Sequence, residues 1–414
     1  MTKTAIYMPY VLPSWYDGKH INEVKFCSEF LAHRDMKFID NTFYSIDGVV
    51  PIQKIEKDIT DLLICADITR GIGSKVTTLV NALKRISYAD DLEISQDEIH
   101  VANGILNLDG TFSEYKMFCK NRLNVNYNPN ADEPTVWLNF VSDLLEAEDI
   151  KTLQEFMGYC LINSTKAQAM LFVIGNGGEG KSRIGVVMYD IFKNSAYFGS
   201  IAELASDKFL KSNLIGKSLL IDDDMNLNGL KDTSFLKSLA TSETPITVQA
   251  KRVQGVQVTL SVRSICFSNG SLSSINDTSD GWSRRLLILS TKPIAQDRRT
   301  DHSLSEKLLA EKEGIFLWIL EGLQRLTANN FEFTRSEKLE RNLAEMKEDN
   351  SNIIGFLKDE QFIEFDLNSE VSTVRLYKNY CDWCEVNNPQ LKFRACLIKL
   401  IPLQQSKRTR VLLP

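Results

Sequence analysis

Helical periodicity marks three long stretches of the chain. Apolar residues recur every three or four positions across residues 53–90. The same spacing returns from Trp137 to about Asn163 and again over residues 303–330. Because this spacing places apolar side chains on one face of a helix, we predict that these stretches are helical and bury that face.

A second pattern, short apolar runs between polar turns, dominates the middle of the chain. Runs of this length bounded by turn residues predict buried strands. Their alternation with helical segments between about 165 and 295 favours an α/β nucleotide-binding core. A hairpin is predicted at residues 42–50, and another strand and turn at 100–110. The expected core strands are Met170–Ile174, Leu219–Ile221, Val256–Leu260, Ser264–Ser268 and Leu286–Ser290.

Length and charge bound the domain organisation. At 414 residues the chain exceeds one ordinary hydrophobic core. We predict a mostly helical domain at 1–150, an α/β core at 151–330, a linker helix at 331–351 and a small domain at 352–414. The net charge of −6 excludes a surface that is basic throughout. Contacts with nucleic acid are therefore expected only from local basic patches.

The sequence favours a reducing compartment. Its eight cysteines lack the spacing of a disulfide framework. This favours a cytoplasmic location, and we expect the cytoplasm of a bacterial host. No apolar run reaches about 18 residues, and the N-terminus lacks a signal peptide's apolar segment, so we expect no membrane contact. Cys381 and Cys384 form a CxxC pair. Buried apolar cysteines are the better interpretation, because a zinc site needs further ligands and the histidines are distant.

One segment carries specific chemistry: a glycine-rich loop between an apolar strand and an apolar helix, spaced Gly-x4-Gly-Lys-Ser. Glycines let backbone N–H groups converge on a phosphate, and the helix N-terminus adds a positive dipole end. We expect Lys181 to reach the β- and γ-phosphates of ATP and the Ser182 hydroxyl to hold Mg²⁺. The predicted nucleotide-binding residues are Gly175, Asn176, Gly177, Gly178, Glu179, Gly180, Lys181 and Ser182.

Two later strands end in polar residues that suit the same chemistry. Asp222, Asp223 and Asp224 follow an apolar strand about 40 residues after the loop. One carboxylate there can hold Mg²⁺ and a neighbour can polarise the attacking water. Asp222 or Asp223 is expected to serve the metal, and Asp223 or Asp224 the water. Asn269 directly follows the predicted strand Ser264–Ser268, where it can contact the γ-phosphate or orient the water. A helix cap or surface turn is the weaker interpretation of the aspartates.

Basic residues supply the remaining candidates. Arg284 and Arg285 precede the last predicted strand. Guanidinium groups can neutralise charge on a transferring phosphoryl group, and a neighbouring subunit can supply them. A pair of surface arginines is the alternative, but a buried pair without partners is costly. Residues 236–256 predict a helix and then a hairpin tipped by Lys251 and Arg252. That hairpin either contacts nucleic-acid phosphates or is an ordinary solvated hairpin.

The order of these segments resembles the superfamily 3 helicases of phages, plasmids and mobile elements, a branch of the hexameric AAA+ ATPases. The resemblance spans roughly residues 40–330 and depends on several ordered motifs. Outside the core, it rests on segments similar to the helical domain of phage and poxvirus-type primase–helicases and to the helical segment after their core. Those segments are Phe43–Gly48, Asn103–Leu108, Tyr127–Pro129, Leu153–Tyr159 and Glu313–Leu323.

The resemblance implies an AAA+ P-loop ATPase core in a ring, usually a hexamer, with ATP between subunits. It implies that Asn269 senses the γ-phosphate and that Arg285, with Arg284, acts on the neighbour's ATP. Lys251 would lie on a pore hairpin that grips one DNA strand. The tail from 352 resembles a winged-helix domain. Its candidate DNA contacts are Lys407, Arg408 and Arg410.

The implied function is an ATP-dependent DNA helicase acting in replication initiation of a phage, plasmid or other mobile element. The alternative is an ATP-dependent origin-binding ring that recruits host replication proteins with little unwinding of its own. A metabolic P-loop kinase is disfavoured because the paired arginines and the hairpin have no role there. The family usually has Gly-Asp where this chain has Ser242-Glu243, so we expect the turn into the hairpin to differ. No zinc-finger spacing or polymerase-like module points to primase activity.

Overall fold

The computed structural model describes residues 12–90, 92, 97–225, 233–243, 245–249, 255–270, 279–294, 301–349, 356–357, 359, 361–365, 371–387 and 411–412. The helices are α1 (Glu23–His33), α2 (Ile52–Cys65), α3 (Ile72–Ile86), α4 (Thr135–Leu144), α5 (Ala147–Tyr159), α6 (Ser182–Phe192), α7 (Ile201–Ser206), α8 (Ser234–Thr241), α9 (Asp280–Ser283), α10 (Leu304–Ala310), α11 (Lys312–Ala328), α12 (Glu337–Asp349) and α13 (Thr373–Asn387). The strands are β1 (Met36–Ile39), β2 (Thr42–Ser45), β3 (Gly48–Val50), β4 (Glu98–Val101), β5 (Gly104–Asn107), β6 (Phe112–Ser113), β7 (Met170–Gly175), β8 (Ala196–Phe198), β9 (Leu219–Asp222), β10 (Ile246–Val248), β11 (Val256–Val258), β12 (Arg263–Asn269), β13 (Leu286–Ser290), β14 (Glu364–Phe365) and β15 (Val411–Leu412).

Five parallel strands form the central sheet, which confirms the mixed α/β core predicted from the alternating pattern. Their order across the sheet is β13-β7-β12-β9-β8. Strand β7, which leads into the glycine-rich loop, therefore lies between β13 and β12, two strands that come much later in the chain. In open parallel sheets, ligands bind beyond the carboxyl ends of the strands. This topology brings the segments after β7, β9 and β12 to one edge.

Two details of the sheet differ from the sequence prediction. The run Val256–Leu260, expected as a core strand, contributes β11 to a separate antiparallel hairpin with β10. The outermost core strand is instead β8, which was not predicted. It is three residues long, and Phe198 is 47% exposed. Its three residues are apolar, but a run this short at an exposed edge does not by itself distinguish a strand from a loop.

Side chains of the sheet alternate between two hydrophobic cores. On β7, Leu171 and Val173 belong to the core beneath α5, α6, α10 and α11, whereas Met170 and Phe172 belong to the core beneath α7, α8 and α12. This alternation is the ordinary consequence of strand geometry. Because both faces are covered, β7 is a continuous apolar run, as parallel strands of α/β proteins generally are.

The N-terminal half divides into two parts that pack differently. Residues 15–83 form their own core, built from α1–α3 and the β1–β3 sheet. Residues 99–145, with the β4–β6 sheet and α4, instead share the core of the central sheet. The boundary predicted at 150 therefore falls inside a shared core. Buried Arg122 ties the two parts together by donating to the carbonyl oxygens of Ile46 (2.9 Å), Val101 (2.7 Å) and Met117 (2.6 Å).

The predicted linker helix is part of the core. Helix α12 packs against β13, and its Leu343 and Met346 are buried beneath the sheet. Asn342 donates from Nδ2 to the carbonyl oxygen of Ile288 at 2.9 Å, which couples the helix to the strand. The charged residues that suggested a linker occupy the outer face of the same helix, as an amphipathic surface helix requires.

The C-terminal residues form a small separate cluster. Phe356, Ile363, Tyr380 and Cys384 are buried together, so Cys384 lies in an apolar setting. Strands β14 and β15 pair antiparallel. Within the described ranges, no three His, Cys, Asp or Glu residues are grouped as a metal site would need. In that same part of the chain, no helix has the length and apolarity to span a bilayer.

Candidate nucleotide-binding site

The glycine-rich loop has the backbone that its sequence requires. Strand β7 ends at Gly175, helix α6 begins at Ser182, and the segment between them curls at the carboxyl edge of the sheet. Gly177, Gly178 and Gly180 have φ values of +102°, +86° and +92°. Residues with a Cβ rarely adopt such values. The three glycines therefore allow the tight loop that the spacing predicted.

Lys181 lies at the centre of a polar cluster beside the loop. Its Nζ is 2.7 Å from Asn269 Oδ1 and 3.1 Å from Glu179 Oε2. The contact with Asn269 follows from the sheet, because the last residue of β12 stands directly opposite Gly175. The structure thus brings together two candidates that are 88 residues apart in sequence.

The three aspartates occupy different environments. Asp222 is 3% exposed and its Oδ2 accepts the backbone N–H of Ile201 at 2.7 Å. Burial raises the pKa of Asp222, although the hydrogen bond from Ile201 opposes that shift. Asp223 is half-buried, and its Oδ1 is buried without a hydrogen-bond partner among the described residues. Asp224 is exposed.

These environments bear on the expected Mg²⁺ site. One oxygen of Asp222 is already engaged, because it accepts the N–H of Ile201, the first residue of α7. The buried oxygen of Asp223 has no partner among the described residues, and buried polar atoms normally have one. Carboxylate and hydroxyl oxygens suit Mg²⁺. Ser182, at the first position of α6, and Asp223 therefore fit a magnesium ion that accompanies a bound nucleotide.

The arginine pair lies at the other edge of the sheet. Arg285 immediately precedes β13, whose first residue pairs with Met170 at the start of β7. Gly175 lies five positions after Met170 along β7. The arginine pair is therefore roughly 16 Å from the loop of its own chain. The sequence analysis expected the arginines to act on the ATP of a neighbouring subunit, and within one chain the fold keeps them apart from the loop.

The two arginines also differ from each other. Arg284 is exposed, whereas Arg285 is 9% exposed. Arg285 donates to the carbonyl oxygen of Gly281 and, at 3.5 Å, to Gln168 Oε1. Burial lowers its pKa, with Arg284 adding to the effect and Glu243 opposing it. Arg285 is therefore engaged within its own chain, and Arg284 is the member of the pair that faces solvent.

A cleft beside the loop contains residues that the sequence analysis missed. Its volume is about 280 Å³, and it lies between the start of the loop, the segment after β13 and helix α12. Polar groups in its lining come from Asn176, Thr291, Lys292, Asn342 and Glu345. The signal for α12 was present in its apolar period. The sequence gives no local signal that this helix packs against β13, because the contacting residues, such as Asn342 and Ile288, are 54 positions apart in the chain.

All of the predicted DNA contacts lie outside the described residues. They are Lys251, Arg252, Lys407, Arg408 and Arg410. The strands that flank the first two are present as the β10–β11 hairpin. Ser242, in the turn before that hairpin, adopts φ +49°, the left-handed conformation that glycine takes most easily.

Comparison with known protein families finds a match. Residues 173–285, from β7 to Arg285, match the model of a family of unknown function, DUF5906. No curated protein matches the chain. Solved structures similar to it include the apo structure of the NrS-1 C terminal region, with 17% identity, a TM-score of 0.45 and coverage of 53% of each chain. The A form apo structure of the same region has 14% identity, a TM-score of 0.42 and the same coverage. The chain thus spans about half the length of the solved chains that it matches.

Proposed function

We propose that the protein is an ATPase whose active site is completed by a second copy of the chain. The glycine-rich loop and Lys181 hold the triphosphate, Asp223 and Ser182 hold the Mg²⁺ that accompanies it, and Arg284 of the neighbouring copy neutralises charge on the γ-phosphate. The observation that carries this proposal is the cluster at the carboxyl edge of the sheet, where Lys181 Nζ and Asn269 Oδ1 are 2.7 Å apart beside the loop.

Each group has a physical role in phosphoryl transfer. Backbone N–H groups, a lysine and a metal ion cradle the phosphates, and an arginine stabilises the charge that develops in the transition state. Asn269 is placed to orient the attacking water or to contact the γ-phosphate once Lys181 turns to the nucleotide. Asp224, exposed beside the metal ligand, is the candidate base that polarises the water.

We further propose that hydrolysis drives movement along DNA during replication of a mobile element. This step comes from the resemblance to superfamily 3 helicases, in which a hairpin tipped with basic residues grips one strand. The β10–β11 hairpin occupies the corresponding place in the order of elements, between α8 and β12. Six copies around one DNA strand would place each Arg284 beside the loop of the next copy.

The decisive experiment measures strand displacement. Purified protein is incubated with ATP, Mg²⁺ and a forked DNA substrate, and Lys181→Ala serves as the inactive variant. We expect DNA-stimulated hydrolysis and strand displacement from the wild type alone. Hydrolysis on DNA without displacement would refute the helicase proposal and favour an origin-binding ring. Absence of nucleotide binding would refute the ATPase proposal itself.

A further inference from the structure

Glu179 places an anion inside the glycine-rich loop. The residue is 3% exposed, and its Oε1 accepts the backbone N–H of Gly177 at 2.9 Å and that of Asn176 at 2.5 Å. Its Oε2 is 3.1 Å from Lys181 Nζ. Backbone amides and a lysine ammonium are the same donors that such loops offer to a phosphate. A carboxylate of the chain itself therefore engages the group that a nucleotide needs.

We propose that Glu179 is an internal counter-ion that holds Lys181 until a nucleotide phosphate replaces it, and that it thereby lowers the affinity of the loop for nucleotide. The proposal rests on the proposed function, because it concerns the same loop. Lys181 is only 6% exposed, and a buried ammonium without an anionic partner is strongly disfavoured. An incoming phosphate has to compete with Glu179 for Lys181.

The ionisation of Glu179 is consistent with this arrangement. Burial alone would raise the pKa of Glu179, but backbone N–H groups and Lys181 outweigh burial and lower the pKa below its ordinary value. The side chain is therefore negatively charged at neutral pH. Asn269 supplies the second acceptor for Lys181, so the ammonium keeps one partner when it leaves the carboxylate.

A merely structural role makes a different prediction. If Glu179 served only to hold the turn through Asn176 and Gly177, any substitution would weaken the loop and weaken nucleotide binding. Glu179→Gln separates the two roles, because glutamine keeps one oxygen for the N–H groups of Asn176 and Gly177. Its amide nitrogen replaces Oε2, which accepts from Lys181 and at 3.0 Å also from Gly177, and therefore cannot pair with Lys181.

The test measures binding of a fluorescent ADP analogue with Mg²⁺ to the full chain, together with thermal unfolding. We expect Glu179→Gln to bind at least roughly twofold and up to about 150-fold more tightly than the wild type, the range of coupling between residues in contact. In a Lys181→Met background, the same substitution should change binding little. Glu306→Gln, which removes an exposed charge from α10, is the matched control for a long-range effect of net charge.

Each outcome decides the question. If the wild type binds the analogue and Glu179→Gln binds equally or more weakly, with unfolding cooperative in both, the counter-ion proposal is wrong and the ATPase proposal stands. Equal tightening by Glu306→Gln or in the Lys181→Met background also overturns it. Tighter binding by Glu179→Gln without any ATP hydrolysis by the wild type supports the counter-ion and refutes the ATPase. If neither protein binds the analogue, both proposals fail.

Discussion

The two edges of the central sheet differ in how their charged groups are satisfied. At the carboxyl edge, buried Lys181 contacts buried Glu179 and exposed Asn269 beside the loop. At the amino edge, Arg285 is held by its own chain while Arg284 faces solvent. The carboxyl edge holds a buried lysine paired with a carboxylate, and the amino edge carries an exposed cation. Under the proposed function these groups are complementary halves of one site, and their separation within one chain means that two copies have to supply them.

The largest expected effect comes from removing the outward-facing cation. Arg284→Ala should lower kcat for ATP hydrolysis by about 10³-fold or more, since an arginine supplied to the γ-phosphate raises kcat by at least about that factor. Nucleotide affinity should stay close to that of the wild type, because ground-state binding uses the other edge. Steady-state kinetics and analogue titration separate the two quantities, and Arg335→Ala, which removes an arginine paired with Glu340, is the matched control.

Mixing experiments sharpen the same comparison. Copies that carry Lys181→Ala and copies that carry Arg284→Ala should each be inactive alone. Mixed in one assembly, they should regain part of the ATPase activity, because some interfaces then combine an intact loop with an intact arginine. Confirmed mixed assembly without recovery would show that the two edges do not form one site.

Lys181→Ala tests the carboxyl edge by itself. We expect kcat/KM for ATP to fall by on the order of 10²- to 10³-fold, as when one preorganised donor to a developing charge is lost. Because Lys181 is proposed to contact the nucleotide before and during reaction, affinity should fall as well, unlike in Arg284→Ala. Lys307→Ala, an exposed lysine paired with Asp301, is the control. Unchanged affinity and rate in Lys181→Ala would contradict the assignment of the loop.

The aspartates provide an intermediate test. Asp223→Asn should raise the Mg²⁺ concentration needed for half-maximal hydrolysis by about 10- to 100-fold, by analogy with losses at metal sites. Asp224→Asn should lower kcat without moving that Mg²⁺ requirement, because its carboxylate is proposed to act on the water. A Mg²⁺ titration of each variant measures both effects. The reverse pattern would exchange the two roles.

The smallest effect concerns stability and separates the neighbouring arginines. Arg285→Ala removes a buried side chain and its hydrogen bonds, so we expect the free energy of unfolding to drop by about 1–3 kcal/mol. Arg284→Ala alters an exposed position and should change it by less than about 0.5 kcal/mol. Urea unfolding measures both values. Equal losses would mean that Arg284 is also held within its own chain.

Much of the fold was predictable because it depends on local patterns. Four of the five core strands were found from their apolar runs, and the mixed α/β class followed from their alternation. Strand β8 was missed because a run of three residues gives no periodic signal. Helix α12 was predicted as a helix but assigned to a linker, since its charged outer face is visible in sequence and its packing against β13 is not.

By itself, the sequence determined the loop. The positions of Gly177, Gly178 and Gly180 prescribe a backbone that other residues rarely adopt, and this requirement acts within a few residues. Tertiary structure alone decided which candidate side chains are buried and which are exposed. It buried Asp222 against Ile201, left an oxygen of Asp223 without a partner among the described residues, and turned Arg284 rather than Arg285 to solvent. The reason is physical: a side chain's partners come from strands and helices distant in sequence, and only the order of strands in the sheet sets which of them meet.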